Sequence, residues 1–267
     1  MYAKLMTIII LVGTGFLIAC ATDEPEKSKN KKKNSHESLK SSNTAVNKIP
    51  HKLKRFSKSK KLLKKIYVGR QIGFYSGCQY EYKKVGKRKK AKVIPQSCGY
   101  RVRKNRNRGQ FIEWEHVVPA WAFGHSRNCW REGDVNCKGK GRKCCGKVDP
   151  VFRAMESDMH NLRPAIGELN GDRKHFKYSM IPGEKRVYGQ VDFEIDFRDR
   201  VVEPRPEVRG DIARTYFYME QSYGVRISKR QRKLFEVWDK EDPVDEWEKL
   251  RNEKIYRLQG NRNPFIK

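Results

Sequence analysis

The chain has 267 residues and carries 60 Lys and Arg against 31 Asp and Glu, a formal charge of +29. Setting aside a polar N-terminal stretch leaves roughly 200 residues, enough for one domain with a sizeable core. No internal repeat and no base-reading helix motif is present, which sets aside a solenoid and a sequence-specific nucleic-acid reader. The basic excess is spread over most of the chain, so a polyanion is the first partner implied, because neutralising phosphates releases counterions without sequence preference.

In chain order, Lys4 precedes an apolar run over residues 5–18, too short to stay comfortably in a bilayer as a permanent helix. The run closes on Leu17, Ile18, Ala19 and Cys20, which resembles a bacterial lipobox. Residues 1–20 are therefore expected to be a lipoprotein signal peptide with Cys20 as the lipid anchor. Export and attachment to the envelope follow, with the outer membrane, facing periplasm or exterior, favoured because Ala21 and not Asp comes next. Residues 27–65 hold 15 Lys and Arg and the single acid Glu37, so residues 21–65 are expected to be a disordered basic tether. Leu62, Leu63 and Ile66 hint at a helix starting near its end, and residues 66–267 form the expected domain.

Residues 83–108 contain 12 basic side chains and no acidic one. Alternation around Tyr100 and Val102 predicts a half-buried strand, with Arg101, Arg103, Lys104, Arg106 and Arg108 as a phosphate-binding wall. Residues 111–116 alternate as a strand that Pro119 ends. Phe152, Met155, Met159 and Leu162 recur at helical spacing, predicting a helix over 151–162. Residues 191–197 read as a strand, Pro204 and Pro206 as a loop, and 209–218 and 228–240 as helices. Ile212, Tyr216 and Met219 are expected to face inward. The tripeptide Arg209-Gly210-Asp211 is read as a helix start, Asp211 favouring the N-terminal dipole. Trp114 and Trp121 are read as core in preference to base-stacking residues, and His160 as structural.

Besides Cys20 the chain has Cys78, Cys98, Cys129, Cys137, Cys144 and Cys145. An even number in an exported chain supports a disulfide framework. Cys78 and Cys98 flank the same basic segment, and the other four would staple the 129–145 loop, adjacent Cys144 and Cys145 not pairing with each other. A zinc site of these thiolates with His125 or His160 is the rival, weakened by the lack of CxxC spacing.

The chemistry concentrates in Glu113-Trp114-Glu115-His116 and in residues 158–173, rich in Asp, Asn, Glu and His. Carboxylate and amide oxygens suit hard cations, and a histidine beside them can stay metal-free as a base. At a strand end, Glu115 and His116 can converge on one site despite their alternation.

Cys98-Gly99-Tyr100, the 113–124 run, MESDMHNLRPAIGELNGDR at 155–173, residues 209–219 and QGNRNP at 259–264 resemble the bacterial endonuclease I family. These are periplasmic and secreted nucleases of the ββα-metal, or His-Me finger, class. The resemblance implies an α+β fold, a ββα-metal core within a helix-rich single domain. It implies His116 as the general base, Glu115 and Asn170 as metal ligands and Arg142 as the phosphate-holding arginine. The cofactor implied is a divalent metal, Mg²⁺ first, Mn²⁺ or Ca²⁺ next. The activity implied is endonucleolytic hydrolysis of DNA, and of RNA, to 5′-phosphate products with little sequence preference, by a monomer. A family cysteine before Gly77 is replaced by Ser76, and a late cysteine is missing, which suggests that one family disulfide is absent as a pair. The alternative of another class is a non-catalytic lipoprotein that captures nucleic acid at the envelope. It would need the basic surface and tether but not Glu115, His116 and Asn170 together.

Overall fold

A computed structural model describes residues 50–183 and 185–267. The expected signal segment, Cys20 and the tether up to residue 49 lie outside the described residues. The expected boundary at residue 65 is corrected, because helix α1 (Phe56–Ile66) is part of the fold. Its Ser59, Leu63 and Ile66 recur at spacings of four and three and are buried. Leu63 and Ile66 pack with Met159, Leu162 and Ile255, so the apolar face of α1 overrides its many lysines.

Strands β1 (Tyr80–Val85) and β2 (Arg88–Val93) form an antiparallel hairpin, Val85 opposite Arg88. Gly86, at φ 57°, supplies the positive φ that a two-residue hairpin turn needs. The cationic strand expected around Tyr100 and Val102 does not form: Tyr100 makes one isolated bridge to Gly189. The backbone N–H groups of Arg103, Lys104 and Asn105, with the Tyr100 hydroxyl, instead converge on the Glu168 carboxylate, which bends the chain around it. Those bonds hold the Glu168 pKa below its usual value against the opposing effect of burial. A short helix α2 (Arg106–Gly109) follows.

Strand β3 (Ile112–His116) pairs antiparallel with β4 (Leu162–Ile166), His116 opposite Leu162, and helix α7 (Gly167–Arg173) leaves β4 directly. Between β3 and β4 lie helices α3 (Ala120–Gly124), α4 (Asn128–Arg131), α5 (Arg142–Val148) and α6 (Pro150–Ser157). The ββα unit thus spans a long excursion, and the fold is α+β with a ββα core. The helix expected over 151–162 stops at Ser157, because buried Asp158 turns the chain by accepting from the His160 N–H and from Tyr218, Tyr223 and Gln259. Leu162 consequently lies on a strand.

A three-stranded sheet of order β5 (Lys177–Tyr178), β7 (Val201–Pro204), β6 (Phe193–Asp196) backs helices α8 (Arg209–Tyr223) and α9 (Lys229–Glu241). Ile212 and Met219 of α8 are buried and Tyr216 is half-buried. Asp211, in the first turn of α8, pairs with Arg163 of β4, a structural role for that tripeptide. Helix α10 (Glu246–Gln259) closes the fold.

Cys78 pairs with Cys98, Cys129 with Cys145 and Cys137 with Cys144. The zinc reading fails on this pairing, since every thiolate it needs is consumed. The Cys129–Cys145 bridge closes a separation of 16 residues. A loop of about 15 residues is worth roughly 3 kcal/mol of lost chain entropy in the unfolded state.

Candidate active site

The exit of β3 is pinned by backbone geometry. Val117 N–H donates to Asn161 O (3.0 Å), and the Asn161 side chain both accepts from Val118 N–H (2.7 Å) and donates to Val118 O (2.9 Å). His116 therefore leaves the strand in one orientation, its ring 4.9 Å from Phe56 of α1. Its Nε2 lies 2.8 Å from the Glu156 carbonyl oxygen. A carbonyl only accepts, so Nε2 carries the hydrogen and Nδ1 keeps its lone pair. Burial first, then the charge of Arg142, pushes the His116 pKa down to about 3, so the ring is neutral near pH 7. Glu156 also holds Arg142, whose Nε donates to its carboxylate at 2.7 Å. One residue of α6 thus aligns both groups.

Glu115 is 4% exposed. The Tyr75 hydroxyl donates to its Oε1 (3.1 Å), and the Tyr178 hydroxyl is 2.6 Å from that of Tyr75. Arg173, fully buried, places its Nε 3.5 Å from Glu115 Oε1 and donates through Nη2 to Val117 O. Burial outweighs these charge-stabilising neighbours and pushes the Glu115 pKa up to about 7. A buried carboxylate of that kind is short of positive charge at neutral pH.

Asn170, on α7, donates from Nδ2 to Glu113 Oε2 (2.8 Å). Glu113 is itself gripped by Arg108 through two hydrogen bonds of 2.9 and 2.5 Å. With the amino group committed, Asn170 Oδ1 is the atom left to accept, and among the described residues nothing donates to it.

Glu115, His116, Asn170 and Arg142 all line one cleft of about 950 Å³. Lys60 and Lys64 of α1 and Lys89 and Lys90 of β2 line it as well, and none of the four has a carboxylate partner among the described residues. The described residues contain no group of three or more His, Cys, Asp or Glu side chains that could cage a metal. A carboxylate and an amide oxygen fit a cation that keeps several waters, as Mg²⁺ does, and not zinc.

The expected phosphate wall splits. Arg103 is paired with Asp172 and Arg108 with Glu113. Lys104 and Arg106 line a separate hollow of about 710 Å³ with Arg103, and of the five only Arg108 reaches the cleft. Arg101 is exposed and lines neither. His160 is buried with Nε2 on the Asn261 carbonyl (3.0 Å), a structural bond. Trp114 packs on the α1 cluster, but Trp121 is 43% exposed, which corrects its reading as core. Sequence reasoning missed Tyr75, Asn161, Arg173, Glu156 and the cleft-facing side of α1. Only a conspicuous buried-type signal, Asn161 and Arg173 inside the polar 158–173 run, could have flagged two of them.

The family model for Endonuclease I matches residues 27–267. An extracellular deoxyribonuclease of Aeromonas hydrophila is 48% identical over 217 residues, 80% of this chain and 88% of the relative. A periplasmic deoxyribonuclease of the same organism is 49% identical over 214 residues, 79% of this chain and 84% of the relative. An extracellular ribonuclease of Bacillus subtilis (strain 168) is 33% identical over 192 residues, 61% of this chain and 54% of the relative.

Proposed function

The chain belongs to the endonuclease I family and is an endonuclease that acts on nucleic acid, and from that premise we propose how it cuts and where. It is a divalent-metal-dependent, sequence-nonspecific enzyme that hydrolyses DNA and RNA to 5′-phosphate ends as a monomer. His116 Nδ1 takes the proton of the attacking water as the new P–O bond forms and the P–O3′ bond breaks, the leaving 3′ oxygen taking a proton from solvent water, while His116 Nε2–H stays on the Glu156 carbonyl. The Glu115 carboxylate and Asn170 Oδ1 would hold the cation, which supplies neutralisation of the charge building on the phosphate and the leaving 3′ oxygen. The Arg142 guanidinium, fixed by Glu156, steadies the phosphate. The lysines of α1 and β2 attract the backbone without reading bases.

What supports the reading most is that a neutral histidine with a free Nδ1 shares one cationic cleft with a charge-hungry carboxylate and an oriented amide oxygen. The ribonuclease name of one relative supports RNA as a second substrate. Relatives named extracellular or periplasmic support export, and Cys20 is proposed as the lipid anchor to the outer membrane. Among the described residues, no helix is long and apolar enough to cross a membrane.

The test is nicking of supercoiled plasmid by the oxidised protein with Mg²⁺, with EDTA, and with His116→Ala. EDTA should abolish nicking, and the substitution should slow it by about 10²–10⁴ with DNA binding retained. Tight binding without cleavage in Mg²⁺, Mn²⁺ or Ca²⁺ would overturn the reading in favour of a capture lipoprotein.

A further inference from the structure

A second cavity, of about 670 Å³, lies beside the catalytic cleft and plays no part in the mechanism above. Two chain segments pass from one to the other in adjacent residues. Pro119 lines both, Ala120 lines the cleft and Trp121 the cavity, while Lys174 lines the cleft and His175 the cavity. Lys174 turns the chain there with a positive φ of 51°. Its carbonyl is held by Arg173, the same side chain that approaches Glu115.

The wall of this cavity is a column of near-parallel rings. Trp121 lies 3.9 Å from His125, at 7° between planes, and 4.8 Å from His175, at 22°. His125 is fixed by its Nδ1, 2.7 Å from the Trp121 carbonyl. The column reaches solvent, Trp121 being 43% exposed and His175 exposed as well. Stacked rings that reach solvent offer a face on which a flat partner can stack. Around them Lys177, Arg200 and Arg226 are exposed and, among the described residues, have no carboxylate partner. Arg127 is spent on Asp149, and the one acid in the lining, Asp199, is paired with Arg198. Flat rings interleaved with unpaired cations are the chemistry that grips single strands, rings against bases and cations against phosphates.

The geometry points to this cavity as a subsite for an unpaired nucleobase, stacked on the outer face of His175, whose inner face rests on Trp121 with His125 behind it, from a strand whose neighbouring phosphate lies in the catalytic cleft. The inference rests on the nuclease reading for what fills the cleft. A base inside a duplex is stacked and paired and cannot enter, so the subsite favours single-stranded DNA, RNA loops and frayed ends over intact duplex. Stacking on a ring is open to every base, since each has a π-face, so the discrimination is between unpaired and paired bases and not among sequences.

The test compares binding of fluorescent oligothymidylate and of an equally long duplex in EDTA, where no cutting occurs, to the full chain and to His175→Ala. Loss of one base–aromatic contact should weaken oligothymidylate binding by roughly tenfold, within the range such losses span, and leave duplex binding within about twofold. His175→Phe should keep most of the affinity, and with Mg²⁺ His175→Ala should raise KM on single strands with kcat unchanged. Trp121→Ala, which removes the ring that carries His175, has the same expectation should His175→Ala lower the melting temperature. Equal losses on both substrates, or none on either, would overturn the subsite. Because binding is read without chemistry, failure of the plasmid to be nicked would count against the nuclease reading alone.

Discussion

The floor and the rim of the cleft are built on opposite terms. On the floor every group is tied down: His116 to the Glu156 carbonyl, Glu115 to Tyr75, Asn170 to Glu113, and Glu113 to Arg108. On the rim, Lys60 and Lys90 only hover over Phe56 and Phe111, each 4.6 Å from the ring centroid, and Lys89 meets no carboxylate among the described residues. Chemistry on a phosphate needs donors and acceptors held within a fraction of an ångström, whereas capture of a uniform backbone needs only charge that can adjust. The contrast shows why the basic excess of this chain is not spread evenly over its functional groups.

Breaking the floor should have the largest effect. Glu113→Ala removes the oxygen to which Asn170 Nδ2 now donates, so Asn170 loses the partner that turns Oδ1 into the cleft. The expected result is a 10- to 100-fold rise in the Mg²⁺ concentration needed for half-maximal nicking, with much of the rate recovered at saturating metal. An unchanged metal titration would show that Glu113 merely packs.

Breaking the rim should act differently. With Lys60, Lys64, Lys89 and Lys90 all changed to Gln, the log–log salt dependence of DNA binding should flatten by about 3 to 4, near 0.9 per lost phosphate contact. Single-turnover cutting at saturating enzyme should hardly change. A lost turnover with an unaltered salt slope would erase the distinction between rim and floor.

The smallest effect is on stability, and pH sharpens it. Burial raises the Glu115 pKa to about 7, above its unfolded value, so its contribution is full below about pH 4.5 and is lost as pH rises through 7. His116 is shifted down to about 3, so its contribution has the opposite sign: present above about pH 6.5 and lost as pH falls towards 3. His116 is common to wild type and Glu115→Gln, so it cancels in their difference. In EDTA, Glu115→Gln should therefore gain on the wild type in melting temperature between pH 5 and pH 8, by roughly 2–4 °C per kcal/mol. Mg²⁺ at pH 8 should raise the wild type and not the variant. A difference independent of pH would place the titration elsewhere.

Local pattern and composition determined a good deal of this protein. The strand ending at His116, the buried stripe of Phe152 and Met155, helices α8 and α9 and the even cysteine set all follow from periodicities of two and three to four residues or from simple counting. The run of residues 113–116 stood out as a candidate site because chemistry-bearing side chains crowd within a few positions, whereas Asn170, just before Gly171, reads locally as a turn and stood out only through the family resemblance. Only the tertiary structure decided what those side chains meet. His116 finds its carbonyl 40 residues away in Glu156, and Glu115 its hydroxyl 40 residues away in Tyr75. The lysine-rich segment at 56–66 became a cleft wall because Leu63 and Ile66 found an apolar partner surface from three other elements. The run at 101–105 became a loop because a carboxylate 63 to 65 residues downstream took its N–H groups. Pairings of that length leave no period in the sequence, since they are selected by burial and hydrogen-bond satisfaction once the elements are packed and not by local propensity.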